Sequence, residues 1–459
     1  MEFISDKELI SRFCFDNPWW GKSGQESPSA APVPSSTRIF FQAFSDCAGE
    51  LAAGEILLLA GSLLAGKTVM MRQRIAQLIE RGAAPESVLY CSLASPGIAS
   101  VPPERLLKLF MDQFGNGPER EVTIFVDEVQ YLRDWQIILT ALAKDWPRAH
   151  FICAVSSNAP SLITGKAPAG GGVKTFVLPP MTFLEHLRFA GAEKELLGAS
   201  AGNGQASMTV SPDALQDLNT EFIRYVNFGG FLDVDAALHQ DLASLSGISD
   251  TRELSRLLAL LALNTAREVN IEELTKAIGV AKNTLRKYLD HLEQAFLIRR
   301  LPRVDKTARR FQRAVAFKVY LTQPSLYAAM FGPVAPDDDA FPRLAETALV
   351  TQWLGTGGMD NQAYASWKGG GIDLLSMQEG VNSPEHVFEL DWSDSYAGGG
   401  KGPKTLADFV RATNPAAKAT ILTRRTARSA SMQGVDISLV PLALYAYWIS
   451  LGFFSRAVA

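Results

Sequence analysis

Residues 56–68 constrain the fold more than any other stretch of this chain. Ile56–Ala60 is a run of five apolar residues, the length of a buried strand, and Val69–Arg81 is a helical run. Between them lies Gly61-Ser-Leu-Leu-Ala-Gly66-Lys67-Thr68, which fits G-x-x-x-x-G-K-[ST] at every fixed position. Strand, glycine loop and helix form the context this motif requires. The glycines let backbone N–H groups turn inward around phosphate oxygens, and the helix N-terminus adds a favourable dipole. Lys67 is expected to reach the β- and γ-phosphates, and the Thr68 hydroxyl to ligate Mg2+. Gly61, Ala65, Gly66, Lys67, Thr68 and Val69 are therefore the expected nucleotide-binding residues, with ATP and Mg2+ as ligands. The alternative is a chance match on a glycine loop.

A second apolar strand, Val122-Thr-Ile-Phe-Val, ends in Asp127-Glu128. Beside such a loop, Asp127 would hold Mg2+, mostly through water, and Glu128 would polarise the attacking water. Alone, an Asp-Glu pair also reads as a strand-end turn. His150–Val155 ends in Ser156-Ser157-Asn158. Ser156 either senses the γ-phosphate and orients water, or caps the next helix. The catalytic candidates are Glu128, Lys67 and Ser156. Strand candidates at 56–60, 87–92, 123–126, 150–155 and 175–178 alternate with helical stretches, which predicts a parallel sheet flanked by helices.

The 459 residues leave room for two to four domains. With 47% hydrophobic and 20% charged residues, the composition is that of a soluble globular protein. A net charge of −4 excludes a polycation, so any nucleic-acid contact must come from a local basic patch. Cys14, Cys47, Cys91 and Cys153 are scattered, and the five histidines are isolated from one another, so no metal-ligand spacing stands out. The N-terminus has no signal-peptide core and no apolar run reaches membrane length, so a cytoplasmic location with no membrane contact is expected. Residues 21–37 and 198–213 are rich in small residues and read as linkers.

Asp127-Glu-Val-Gln-Tyr-Leu-Arg-Asp-Trp135 resembles the signature of a group of bacterial and archaeal AAA+ ATPases. Asn17-Pro-Trp-Trp20, Pro180-Met-Thr-Phe183-Leu-Glu185 and Gly229-Gly230-Phe231 follow the same group's order of motifs. The resemblance implies an AAA+ domain, a winged helix and a C-terminal domain like a restriction endonuclease. It also implies oligomers, and a setting in defence or mobile-element biology. Two departures stand out. Leu63 occupies a position where the group usually has arginine. Gly170-Gly-Gly-Val-Lys174 lacks the arginine that would serve as a finger. Lys174 is the available substitute, without arginine's planar fork.

Ile271–Glu293 reads as helix–turn–helix, with Gly279 at the turn and Lys282, Asn283, Arg286 and Lys287 on the exposed start of the second helix. Leu297–Lys318 then carries Arg299, Arg300, Arg303, Lys306, Arg309, Arg310, Arg313 and Lys318 against one acid, Asp305. This pattern predicts a basic wing that contacts nucleic-acid phosphates; the alternative is a lid or protein-contact module. In the tail, the resemblance implies a nuclease-like site at Glu346, Asp373 and Glu389, with Asp391 where a lysine is expected. Without that positive charge, the tail is expected to be degenerate.

The expected architecture is α/β throughout. An N-terminal helix and linker (1–37) precede a P-loop AAA+ parallel-sheet domain (38–195). A helical and winged-helix domain (212–335) and a mixed α/β restriction-endonuclease-like domain (340–459) complete it. The expected function is an ATPase coupled to DNA or other nucleic acid. The alternatives are an ATP-dependent homo-oligomeric scaffold that recruits a protein partner, and an ATP-gated nuclease.

Overall fold

The computed structural model describes all residues except 1–3, 22–36, 53, 63–64, 118, 157–171, 199–209, 230–250, 312–314, 355–360, 399–400 and 458–459. Leu63, Ser157, Asn158, Gly170, Gly171, Gly230, Phe231 and Arg313 lie outside the described residues, as do most residues of both linkers. The chain divides into two compact units, one formed essentially by residues 1–178 and one essentially by 179–457.

The first unit is built on five parallel strands: β1 (Ile56–Ala60), β2 (Val88–Ser92), β3 (Val122–Asp127), β4 (Ala149–Val155) and β5 (Val173–Val177). Their order is β2-β3-β4-β1-β5. All five were legible as apolar or β-branched runs. β1 is buried at every position, as a central parallel strand covered on both faces must be, whereas β5 at the edge is largely exposed. Register pairs Ala60 with Val155, and Ser92 with Asp127. The C-terminal ends of the strands therefore finish together, which is where an open parallel sheet presents its binding crevice. Helix Lys67–Glu80 leaves β1 at this edge and buries Met70, Met71 and Ile75.

The second unit is organised by one mixed sheet of nine strands, ordered β13-β14-β12-β11-β10-β9-β7-β8-β6. These are β6 (Arg267–Asn270), β7 (Ile298–Val304), β8 (Ala316–Leu321), β9 (Gln362–Trp367), β10 (Gly370–Met377), β11 (Pro384–Asp391), β12 (Lys418–Thr423), β13 (Arg428–Met432) and β14 (Val435–Pro441). Helices Ile271–Ile278 and Lys282–Gln294 are joined at Gly279, whose φ of 87° suits a tight turn, as the helix–turn–helix reading expected. The two strands of the expected wing are also part of the larger sheet. β7 pairs with β8 on one side and, through Arg303 and Val304, with β9 on the other. Val304 and Ala308 share a core with Ala365, Ile372, Leu406 and Ile421. The sheet thus runs through the boundary expected at 335–340. Among the described residues, no helix is long and apolar enough to cross a membrane.

Candidate nucleotide site and a buried ionic cluster

The glycine loop occupies the C-terminal edge of the first sheet. A Cβ on Gly61 would stand 2.6 Å from the Leu178 carbonyl oxygen, so only glycine permits this approach. Gly66 has φ 95° and turns the chain into helix Lys67–Glu80. Lys67 is buried, and its amine donates to the carbonyls of Gly61 (3.1 Å) and Ser62 (2.8 Å). Arg38 donates to the Ala65 carbonyl and braces the loop from the N-terminal side.

Asp127 ends β3, and its Oδ2 accepts from Thr68 Oγ1 (2.7 Å) and from the Tyr90 hydroxyl (2.8 Å). Its other oxygen, Oδ1, is buried without a hydrogen-bond partner, and so is Ser62 Oγ. Burial and the adjacent Glu128 raise the Asp127 pKa. A buried, half-satisfied carboxylate beside a threonine hydroxyl is what a divalent cation would relieve. Mg2+ in such places keeps waters and takes one or two protein ligands plus phosphate oxygens, so Thr68 and Asp127 fit it.

Glu128 follows with φ 58°, an uncommon backbone for glutamate. Ser156 Oγ donates to both of its carboxylate oxygens (2.9 and 2.8 Å), and Gln130 donates to it as well. The Gln130 side chain also accepts from the Ser156 backbone N–H (3.2 Å). Lys67, Thr68, Asp127, Glu128 and Ser156 thus gather at one edge of the sheet, and Ser156 acts on Glu128. Lys174 does not join them. It pairs in register with Leu57, toward the opposite end of β1, and its amine is held by Glu55 (2.9 Å) and the Glu50 carbonyl (3.2 Å). Within its own chain Lys174 is thus engaged away from Lys67 and Asp127. Tyr90, Gln130 and Arg38 escaped the sequence reading. A tyrosine near the end of an apolar strand and a glutamine two residues after Glu128 were the available signals.

The tail cluster is corrected. Glu346 on helix Phe341–Trp353, Asp373 on β10 and Glu389 on β11 meet, but around a lysine from β8. Lys318 Nζ lies 2.5 Å from Glu346 and 3.7 Å from Asp373. The sequence reading denied this cluster a cation because Asp391 fills the lysine position. The cation comes from β8, which precedes all of these carboxylates in the sequence, where a lone lysine in an apolar run was the missed signal. Asp391 instead caps the following loop, accepting from Ser393 Oγ, Ser395 N and Oγ, and Tyr396 N. Burial raises Glu346 to about 7, and burial together with Asp373 raises Glu389 well above its ordinary range. Burial opposes charge on Lys318, but Glu346 and Asp373 outweigh it and hold the amine charged. Among the described residues, no group of three or more His, Cys, Asp or Glu side chains could hold a metal ion.

Much of the basic wing is paired with acids of the preceding helix and of β6. Arg300 bonds Glu293 (2.5 Å) and Asp290 (2.7 Å), Arg299 lies 3.7 Å from Glu293, and Arg303 lies 3.4 Å from Glu268 and donates to the Ser366 carbonyl. Lys282 is half-buried, 3.8 Å from Glu272. Arg286, Lys287, Lys306, Arg309 and Arg310 remain exposed. The eight-to-one charge count of the sequence thus shrinks once the chain is folded.

Residues 53–187 match a family model described as AAA domain, and residues 232–337 match a domain of unknown function, DUF8612. An uncharacterised protein of Haemophilus influenzae is 24% identical over 270 residues, covering 54% of this chain and 63% of that protein. This chain therefore spans less than two thirds of that relative's length. Solved structures with similarity include AMPPCP-bound DnaA from Aquifex aeolicus (15% identity, TM-score 0.26, 57% of this chain and 89% of that one). Another is Cdc6p from Pyrobaculum aerophilum (13% identity, TM-score 0.27, 70% and 96%). Together, the matched model, the phosphate loop and the five-stranded parallel sheet show that the chain carries an AAA domain.

Proposed function

We propose that this protein is an Mg2+-dependent ATPase whose turnover is coupled to nucleic acid. The observation that carries the reading is the meeting of Lys67, Thr68, the half-satisfied Asp127 and Glu128 at one strand edge. Lys67 would exchange its loop carbonyls for phosphate oxygens. Thr68 and Asp127 would hold Mg2+, whose charge screens the phosphates. Glu128, positioned by Ser156 and Gln130, would take the proton of the attacking water. Coupling to nucleic acid rests on the exposed Arg286, Lys287, Lys306, Arg309 and Arg310, with Lys282 beside them. The strand and helix order from Thr251 to Leu321 supports a winged-helix reading of this region. No cutting is assigned to the tail, because Lys318 is engaged by the carboxylates that a metal would need.

A second reading is an ATP-dependent assembly switch with little turnover, which recruits a protein partner as a homo-oligomer. The internal pairing of Arg299, Arg300, Arg303 and Lys318 favours it, since those cations are not left for phosphates. ATP turnover with and without DNA separates the two. Under the first reading, DNA stimulates turnover, Lys67→Ala abolishes nucleotide binding, and Glu128→Gln keeps binding while losing about 100-fold or more in rate. Negligible wild-type turnover with ATP-dependent oligomers and no DNA affinity at moderate salt would replace it with the second.

A further inference from the structure

Strand β2 lies at the edge of its sheet, where backbone N–H and C=O groups would be left unpaired. The segment Asn17–Trp20 covers them. Asn17 is fully buried; its Oδ1 accepts from Tyr90 N (2.6 Å) and its Nδ2 donates to Tyr90 O (2.9 Å) and Phe13 O (2.8 Å). One amide side chain thus serves Tyr90 as a neighbouring strand would. The indoles of Trp19 and Trp20 both donate to the Val88 carbonyl (3.1 and 2.9 Å), and Trp20 is fixed against Phe110 and Phe114. Two alternate residues of β2 are thereby locked from outside.

On the other side, the Tyr90 hydroxyl reaches Asp127. It shares Oδ2 with Thr68 Oγ1, and the Arg72 guanidinium lies over its ring at 5.5 Å. With two hydroxyls on Oδ2, the carboxylate is fixed in one rotamer and Oδ1 is left buried and bare. Partners of this kind orient ligating carboxylates and set metal affinity. We propose that Tyr90 is a positioning residue for Asp127, that Asn17 fixes Tyr90, and that the N-terminal segment thereby sets how tightly Mg2+ is held with the nucleotide. The inference rests on the nucleotide-site reading above.

The test measures binding of a fluorescent ATP analogue to the full chain, first in excess EDTA and then during titration with Mg2+. Tyr90→Phe keeps the ring and removes the hydroxyl. It should raise the Mg2+ concentration for half-saturation about tenfold while leaving Mg2+-free affinity unchanged. Asn17→Ala should shift it in the same direction. An unchanged Mg2+ requirement in Tyr90→Phe, or an equal fall in Mg2+-free affinity, overturns the proposal. Thermal unfolding checks that each variant folds; if Asn17→Ala does not, Tyr90→Phe alone decides. Absence of Mg2+-dependent binding in the wild type would sink the nucleotide-site reading itself. Normal wild-type binding with a wild-type-like Tyr90→Phe sinks only this inference.

Discussion

Lys318 illustrates what one side chain can determine. Its amine is buried among Glu346, Asp373 and Glu389, so removing it takes away the counter-charge of Asp373 and, above about pH 7, of Glu346. Lys318→Met is expected to destabilise the second unit by about 3–5 kcal/mol in urea unfolding. The carboxylates carry their own pH dependence. Glu346 ionises near 7 when folded, against an ordinary 4.5, and Glu389 is raised in the same direction. A raised carboxylate retains its proton in the folded chain while the unfolded chain loses it. Its contribution is therefore intact below about pH 4.5 and declines as pH rises toward 7. Glu389→Gln, fixed in the neutral form, should lose less stability than wild type between pH 5 and 8 and exceed it at pH 8. Equal losses in the two proteins would show that Glu389 is ionised in the native state.

At the scale of elements, the junction of β1 with helix Lys67–Glu80 carries the proposed nucleotide site. The loop fits because Gly61 lets β1 end against the Leu178 backbone. Gly61→Ala places a methyl 2.6 Å from a carbonyl oxygen that belongs to backbone and cannot rotate away. The expected cost is about 1–3 kcal/mol of stability, as for overpacking elsewhere in a core. Nucleotide affinity should fall with it, since the loop must shift. Thermal unfolding with and without nucleotide measures both; a variant with unchanged midpoint and affinity would mean the loop adapts at no cost. Other elements show how ordinary chemistry sets their ends. Thr182 and Glu185 form a capping box on helix Phe183–Phe189, which gives the Pro180–Glu185 motif a structural role.

For the whole molecule, the second unit is one sheet rather than two domains in series. β7 is paired on both sides, and Lys318 on β8 is held by acids from 346 onward. A chain ending at residue 337, where the matched domain of unknown function stops, would bare the β9-facing edge of β7 and strip Lys318 of its partners. Such a chain is expected to aggregate or unfold, as size-exclusion chromatography and circular dichroism would show. A folded, monodisperse product would mean that the helix–turn–helix and its hairpin form an independent domain.

The proposed nucleotide site could be read from sequence because its logic is local. Lys67 bonds carbonyls of its own loop, and β1 is an unbroken apolar run buried on both faces. Asp127 and Glu128 follow from ending such a strand. The partners of charges are not local. Lys318 and Glu346, and Arg303 and Glu268, meet only when strands and helices well separated in sequence pack together. A count of neighbours along the chain therefore overstated the basic wing and denied the tail its lysine. The sequence determined the phosphate-loop motif and the strand and helix that flank it; the tertiary structure decided which cations remain exposed to solvent, because burying a charge requires a partner that the fold alone supplies.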